Sequence, residues 1–113
     1  MEIFCHHIYE FRKGLRKLIL YTGPSSQLNA MIEKLEKRNI SYLVDHLSPG
    51  KVNIFFGSSD CISVLKEFST LKLEKLSDTE DFILGAMLGY DIDQQCRRFV
   101  KRLKNRNSIK KAS

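Results

Sequence analysis

Tryptophan is absent from this chain of 113 residues, proline occurs twice and glycine six times. So little Pro and Gly excludes collagen-like, low-complexity and wholly disordered readings. Long apolar runs are missing too. Leu18-Ile19-Leu20-Tyr21 covers about one strand, far below the ~20 residues that span a bilayer, so no membrane association is expected. The opening Met1-Glu2-Ile3-Phe4-Cys5-His6-His7 has neither a basic stretch nor an apolar segment ending in small residues, so no secretory signal is expected and the chain reads as cytoplasmic. The three cysteines, Cys5, Cys61 and Cys96, are odd in number, and no C-x-x-C occurs. In a reducing compartment they are expected to be free thiols acting as small apolar residues.

What is present suits a globular domain. With 42% hydrophobic and 28% charged residues, one core can form, and the length corresponds to one domain. Acidic residues are missing from one end. Arg97, Arg98, Lys101, Arg102, Lys104, Arg106, Lys110 and Lys111 fall between 97 and 113 with no Asp or Glu among them. Residues 1–96 hold 11 basic and 13 acidic residues, a net −2, so the C-terminal end carries the whole basic excess of the +6 chain. An anionic partner is expected to meet that end.

Periodicity supplies the elements. Apolar residues recur at helical spacing over about 3–12, with Gly14 as a stop. Leu15 to Thr22 reads as a strand, apolar on both faces and therefore expected to be central and covered. Leu28, Met31, Ile32 and Leu35 mark an amphipathic helix opening near Pro24 or Ser25, with Asn39 as a left-handed terminator. Ile40–His46 and Lys51–Gly57 read as strands joined by the turn residues Ser48-Pro49-Gly50.

Ser58 or Ser59 starts a third helix with Ile62, Leu65 and Phe68 inward. Thr70 to Leu76 permits an extended segment, a short edge strand or a helical turn. Ser77-Asp78-Thr79-Glu80 matches the capping box ahead of a fourth helix that ends near Gly89. Asp91 caps a fifth, whose buried stripe is expected to be Ile92, Cys96, Phe99, Val100 and Leu103.

The order α-β-α-β-β-α-α-α defines an α+β fold, a small three-stranded mixed sheet with helices packed on it, like a truncated ferredoxin-like layout. Residues 1–106 are expected to form a single domain and 107–113 a frayed basic tail. Three strands leave sheet edges for a second copy to cover, so a homodimer is expected.

Candidate chemistry is sparse. Cys5, His6 and His7 are metal-ligand types, with His46 and Asp45 as distant candidates. Adjacent helical residues point about 100° apart, which argues against their converging on one ion. Cys5 is the one cysteine with a histidine base beside it. Cys61 sits at a helix start and Cys96 on the apolar stripe. Gly23-Pro24-Ser25-Ser26 and Gly57-Ser58-Ser59 can cap helices but lack phosphate-loop spacing. No catalytic residue and no cofactor are assigned.

Two segments carry a family resemblance: His6-His7-Ile8-Tyr9-Glu10-Phe11-Arg12-Lys13-Gly14-Leu15-Arg16, and Asp81-Phe82-Ile83-Leu84-Gly85-Ala86-Met87-Leu88-Gly89-Tyr90-Asp91 followed by Gln95-Cys96. Together they resemble a bacterial family of small proteins of unknown function commonly encoded beside flavodoxin. The resemblance runs to about Arg106. It implies three strands, five helices and a homodimer, and brings no catalytic residues.

Three functions are carried forward. The first is a non-enzymatic accessory protein that contacts an acidic partner, flavodoxin by the resemblance, through Arg97, Arg98, Lys101, Arg102 and Lys104. A small metal protein or enzyme using Cys5, His6, His7 and His46 is the second. The third is nucleic-acid binding through the basic C-terminal helix, which is short of stacking aromatics because Phe99 lies on the apolar stripe.

Overall fold

The computed structural model describes the backbone of residues 1–112 and the side chains of residues 1–107. Of the tail expected at 107–113, all but Asn107 therefore lies outside the residues described in full. The elements are α1 (Glu2–Arg12), β1 (Leu18–Pro24), α2 (Leu28–Lys37), β2 (Ser41–Ser48), β3 (Lys51–Gly57), α3 (Ser59–Lys66), α4 (Asp78–Met87) and α5 (Ile92–Ala112). This is the α+β fold in the expected order. Two compact units make up the chain, Met1–Glu67 and Phe68–Ser113.

In the first unit the sheet order is β1-β3-β2, and both ladders are antiparallel. β1 and β2 thus run parallel to each other, as a helical crossover requires, but β3 lies between them. The sheet is a split β-α-β unit, antiparallel throughout and not mixed. It also corrects the placing of β1, which is an edge. The central strand is β3, whose residues from Val52 to Gly57 are all buried. The hydrophobic run in β1 did not distinguish the two, because Leu18 and Ile19 are fully buried at the edge as well. Leu15, expected to begin that strand, precedes it and is exposed.

Alternation along β3 sends Val52, Ile54 and Phe56 to one sheet face, where they join Phe4 and Ile8 of α1 and Met31 and Leu35 of α2 in one core cluster. Phe4 meets both Tyr21 and Phe56 edge to face, with ring centroids 5.3 Å apart in each pair. Such pairs add about 0.5–1.5 kcal/mol beyond area burial. Gly57 ends β3 where the Lys17 carbonyl abuts it; a Cβ there would collide with that carbonyl, and Gly57 holds φ at +150°. Asn39 ends the α2 turn at φ +54°, the left-handed terminator expected. The α2 helix itself starts at Leu28, after a 3-10 turn over Ser25–Gln27. α3 buries Ile62 and Leu65, while Phe68 lies beyond its end.

The second unit begins with an irregular segment. Residues 70–76 are neither strand nor helix apart from one 3-10 turn, Leu73–Lys75. The Ser77 hydroxyl accepts from the Glu80 amide at 3.0 Å, and the Glu80 carboxylate accepts from the Ser77 amide at 2.9 Å. The capping box is thus complete. The same carboxylate accepts from the Ser69 amide at 2.8 Å, so one side chain fixes the helix start and the loop before it. These backbone donors, Ser77 first and Ser69 next, hold Glu80 below the ordinary carboxylate pKa. α4 and α5 form a helical hairpin turned at Gly89 (φ +87°), and the Asp91 carboxylate accepts from the Gln94 amide at 2.9 Å to cap α5.

Candidate functional site

The stripe expected to be buried on α5 is mostly exposed. Ile92 is 53%, Val100 46% and Leu103 37% accessible, and Cys96 is also exposed. A polar seam takes the place of that stripe. Gln95 is buried against α4 at Gly85, where a Cβ would collide with its side-chain oxygen. Phe99 meets Phe82 edge to face at 5.9 Å. Arg98 clasps Asp81 in a two-point fork, Nε to Oδ2 at 2.7 Å and a terminal nitrogen to Oδ1 at 3.1 Å. Arg102 donates to Asp78 at 2.8 Å and to the Leu76 carbonyl at 3.1 Å, and reaches Asp81 at 2.9 Å. Arg106 reaches Asp78 at 2.9 Å.

The seam residues 95, 98, 99, 102 and 106 share one helical face, and charge-assisted bonds to two carboxylates won that face over the apolar side chains. Asp78 is 4% exposed, a carboxylate that would be costly to bury without its arginines. The Arg98 hydrogen bond is the main cause that lowers the Asp81 pKa, and desolvation opposes it. The same contact raises the Arg98 pKa.

The five basic residues expected to contact a partner are therefore divided. Arg98 and Arg102 belong to the α4–α5 seam. Arg97, Lys101 and Lys104 have no ion pair among the described residues and lie along a face of α5 with Cys96, Val100 and Asn105. Cys96 and Val100 also line an apolar groove of about 330 Å³ with Thr79, Phe82 and Phe99. At about 100° per residue, α5 carries three successive sectors: the seam, the exposed apolar stripe and the cations without an ion pair among the described residues. Sequence reasoning located the charge but missed Asp78 and Asp81 as its counter-ions. The available signal was two aspartates at i, i+3 opposite arginines at i, i+4, i+8.

The other candidates lie in the first unit, and α1 sends them to different surroundings. The His7 Nδ1 lies 2.9 Å from a Glu10 carboxylate oxygen and 3.3 Å from an Arg16 guanidinium nitrogen. Glu10 is held below its usual pKa, chiefly by the His7 hydrogen bond. An ionised Glu10 only accepts, so Nδ1 carries the proton and donates it. His6 is exposed, stacked on Tyr9 at a 6.3 Å centroid distance. Cys5 turns to a shallow groove of about 420 Å³ with Ile8, Tyr9, Arg12, Lys13 and Arg38. His46 stands exposed on β2. Among the described residues, no three His, Cys, Asp or Glu side chains are grouped to hold a metal ion. Cys61 is half-buried and unbridged. Among the described residues, no helix is long and apolar enough to cross a membrane.

Fold and site together define a small α+β protein: a split β-α-β sheet unit followed by a helical hairpin whose second helix is basic. The family model of a protein of unknown function, DUF2023, matches residues 2–102, and the chain belongs to that family. No curated protein matches the chain.

Proposed function

We propose that the chain is a non-enzymatic binding protein whose α5 contacts an acidic protein partner through Arg97, Lys101 and Lys104. One observation carries the reading: three of the six described cations of α5 are paired with carboxylates, and these three are not. Arg98 and Arg102 then act at one remove, by fixing the helix that presents the row. Clustered cations without counter-ions favour encounter with negative surfaces and make the affinity salt-dependent. Flavodoxin is the acidic partner that the family resemblance suggests.

The nucleic-acid reading is weaker. Half of the described basic row is spent internally, and Phe99 is held on Phe82 instead of offering a face to bases. The metal or enzyme reading rests on Cys5, His6, His7 and His46, which face different surroundings. A homodimer through the outer edges of β1 or β2 fits the short sheet, because each of these strands pairs only with β3.

The test is titration of the chain with flavodoxin at low and high salt, followed by heteronuclear shift mapping. Binding is expected at low salt, with shifts on the 97–104 face, and R97E/K101E/K104E is expected to weaken it more than about tenfold. No binding at low salt removes flavodoxin. Binding unchanged by the triple reversal removes the site.

A further inference from the structure

We propose that the apolar stripe of α5 receives an amphipathic, acidic α-helix of the partner, so that recognition is helix-in-groove and not charge contact alone. This rests on the acidic-partner reading and adds the form of the segment that docks.

Geometry argues for a helix. Ile92, Cys96, Phe99 and Leu103 recur at steps of four, three and four, the spacing into which the side-chain ridges of a second helix interdigitate. Val100 widens the stripe to roughly 100° of arc. Its half next to α4 is a groove whose second wall is Thr79 and Phe82, lined almost wholly by apolar atoms. A helix lying there has apolar anchors at i, i+3 or i+4, and i+7.

Charge identifies the chemistry of the incoming helix. Arg97, Lys101 and Lys104 border the stripe on the side away from the seam; no carboxylate lines the face they share with Cys96, Val100 and Asn105, and the one acidic residue on that flank, Asp93, lies a turn earlier at the start of α5. Asp78 and Asp81 hold Arg98, Arg102 and Arg106 in the seam. A docking helix therefore meets cations along its open flank and is favoured by Asp or Glu on that flank. A second copy of α5 fits less well, because a symmetric antiparallel contact would set one cationic row against the other.

The probe is a fluorescein-labelled synthetic peptide of about five turns (~18 residues), with leucines at the same 4-3-4 spacing and glutamates on the flank. A control of identical composition scatters the leucines around the helix, and both are titrated into the full chain by anisotropy. The patterned peptide is expected to bind at least about tenfold tighter than the scattered one, the worth of one or two well-buried apolar contacts. Val100→Asp is expected to remove that advantage while leaving the helical circular dichroism unchanged, and R97E/K101E/K104E to weaken both peptides.

Equal binding of the two peptides overturns the helix inference and leaves the acidic-partner reading standing. Failure of both peptides and of flavodoxin at low salt removes both ideas. If sedimentation shows a dimer that Val100→Asp dissociates, the stripe is covered by a second copy and the inference is overturned.

Discussion

Each of the two units of the chain is held together internally by a different force. In Met1–Glu67, nine buried apolar side chains, from α1, α2, the sheet and Ile40 just before β2, close on one another. In Phe68–Ser113, the buried apolar residues among those described are Leu76, Leu84 and Leu88. Three arginines on two aspartates do much of the joining there. The contrast shows where surface chemistry was left over. The first unit closed a nine-residue apolar core and left its exposed apolar residues, Ile3, Tyr9, Leu15, Leu47 and Val64, spread over several elements, whereas the second used charge internally and left Ile92, Val100 and Leu103 on one helix beside three cations.

Breaking each unit by its own force sharpens the contrast. The largest effect is expected from Phe56→Ala, since Phe56 is fully buried between Phe4 and the rest of the cluster. A loss of about 3–5 kcal/mol is expected in urea unfolding, nearly independent of salt. Asp78→Ala comes next. It deprives Arg106 of its carboxylate and Arg102 of one of two, and about 2 kcal/mol is expected, less than for a fully buried pair because Arg102 keeps Asp81 and the Arg106 guanidinium can turn to water. Its cost should shrink modestly in ~1 M salt, through the half-exposed Arg106 side of the contact, since the part-buried Arg102 pair is screened little. A salt-independent Asp78 effect as large as that of Phe56 would erase the distinction between the units.

Ser77→Ala removes the cap of α4 and is expected to cost about 1 kcal/mol by thermal unfolding. Arg98→Ala is smaller, under about 1 kcal/mol, because Arg98 is more than half exposed. Its signature is in pH. Asp81 titrates below its unfolded-state value in the folded chain, so its contribution is present above about pH 4 and is lost as the pH falls through the lowered folded-state value. Arg98→Ala is expected to move the Asp81 titration upward in a carboxyl NMR series and narrow that acid loss. No movement would separate Asp81 from the clasp. The smallest effect is Val100→Asp, expected to change stability by no more than about 0.5 kcal/mol because the side chain already faces solvent.

Much of the fold was legible because it is local. The capping box at Ser77 and Glu80, the left-handed Asn39, the Asp91 cap and the Ser48-Pro49-Gly50 turn each follow from a few adjacent residues. The core faces of α1 and α2 followed from the 3.6-residue period. The candidate site was legible in part. The basic end could be counted, but Arg102 finds Asp78 across 24 residues, and no window of periodicity spans that distance. Arg97 and Arg98 are neighbours in sequence, yet only Arg98 makes an ion pair among the described residues.

By itself, the sequence determined the identity and order of the helices and strands, the starts of α4 and α5, and the net positive charge of the C-terminal end. Those properties depend on backbone preferences, short spacings and composition. The tertiary structure alone decided that β3 is central, that α5 turns Gln95, Arg98, Arg102 and Arg106 toward α4, and which of the described cations remain without an ion pair. Each of those choices compares the free energies of surfaces far apart in the chain, and arginines bonded to Asp81 and to one oxygen of the buried Asp78 outweighed the apolar stripe that local patterning favoured.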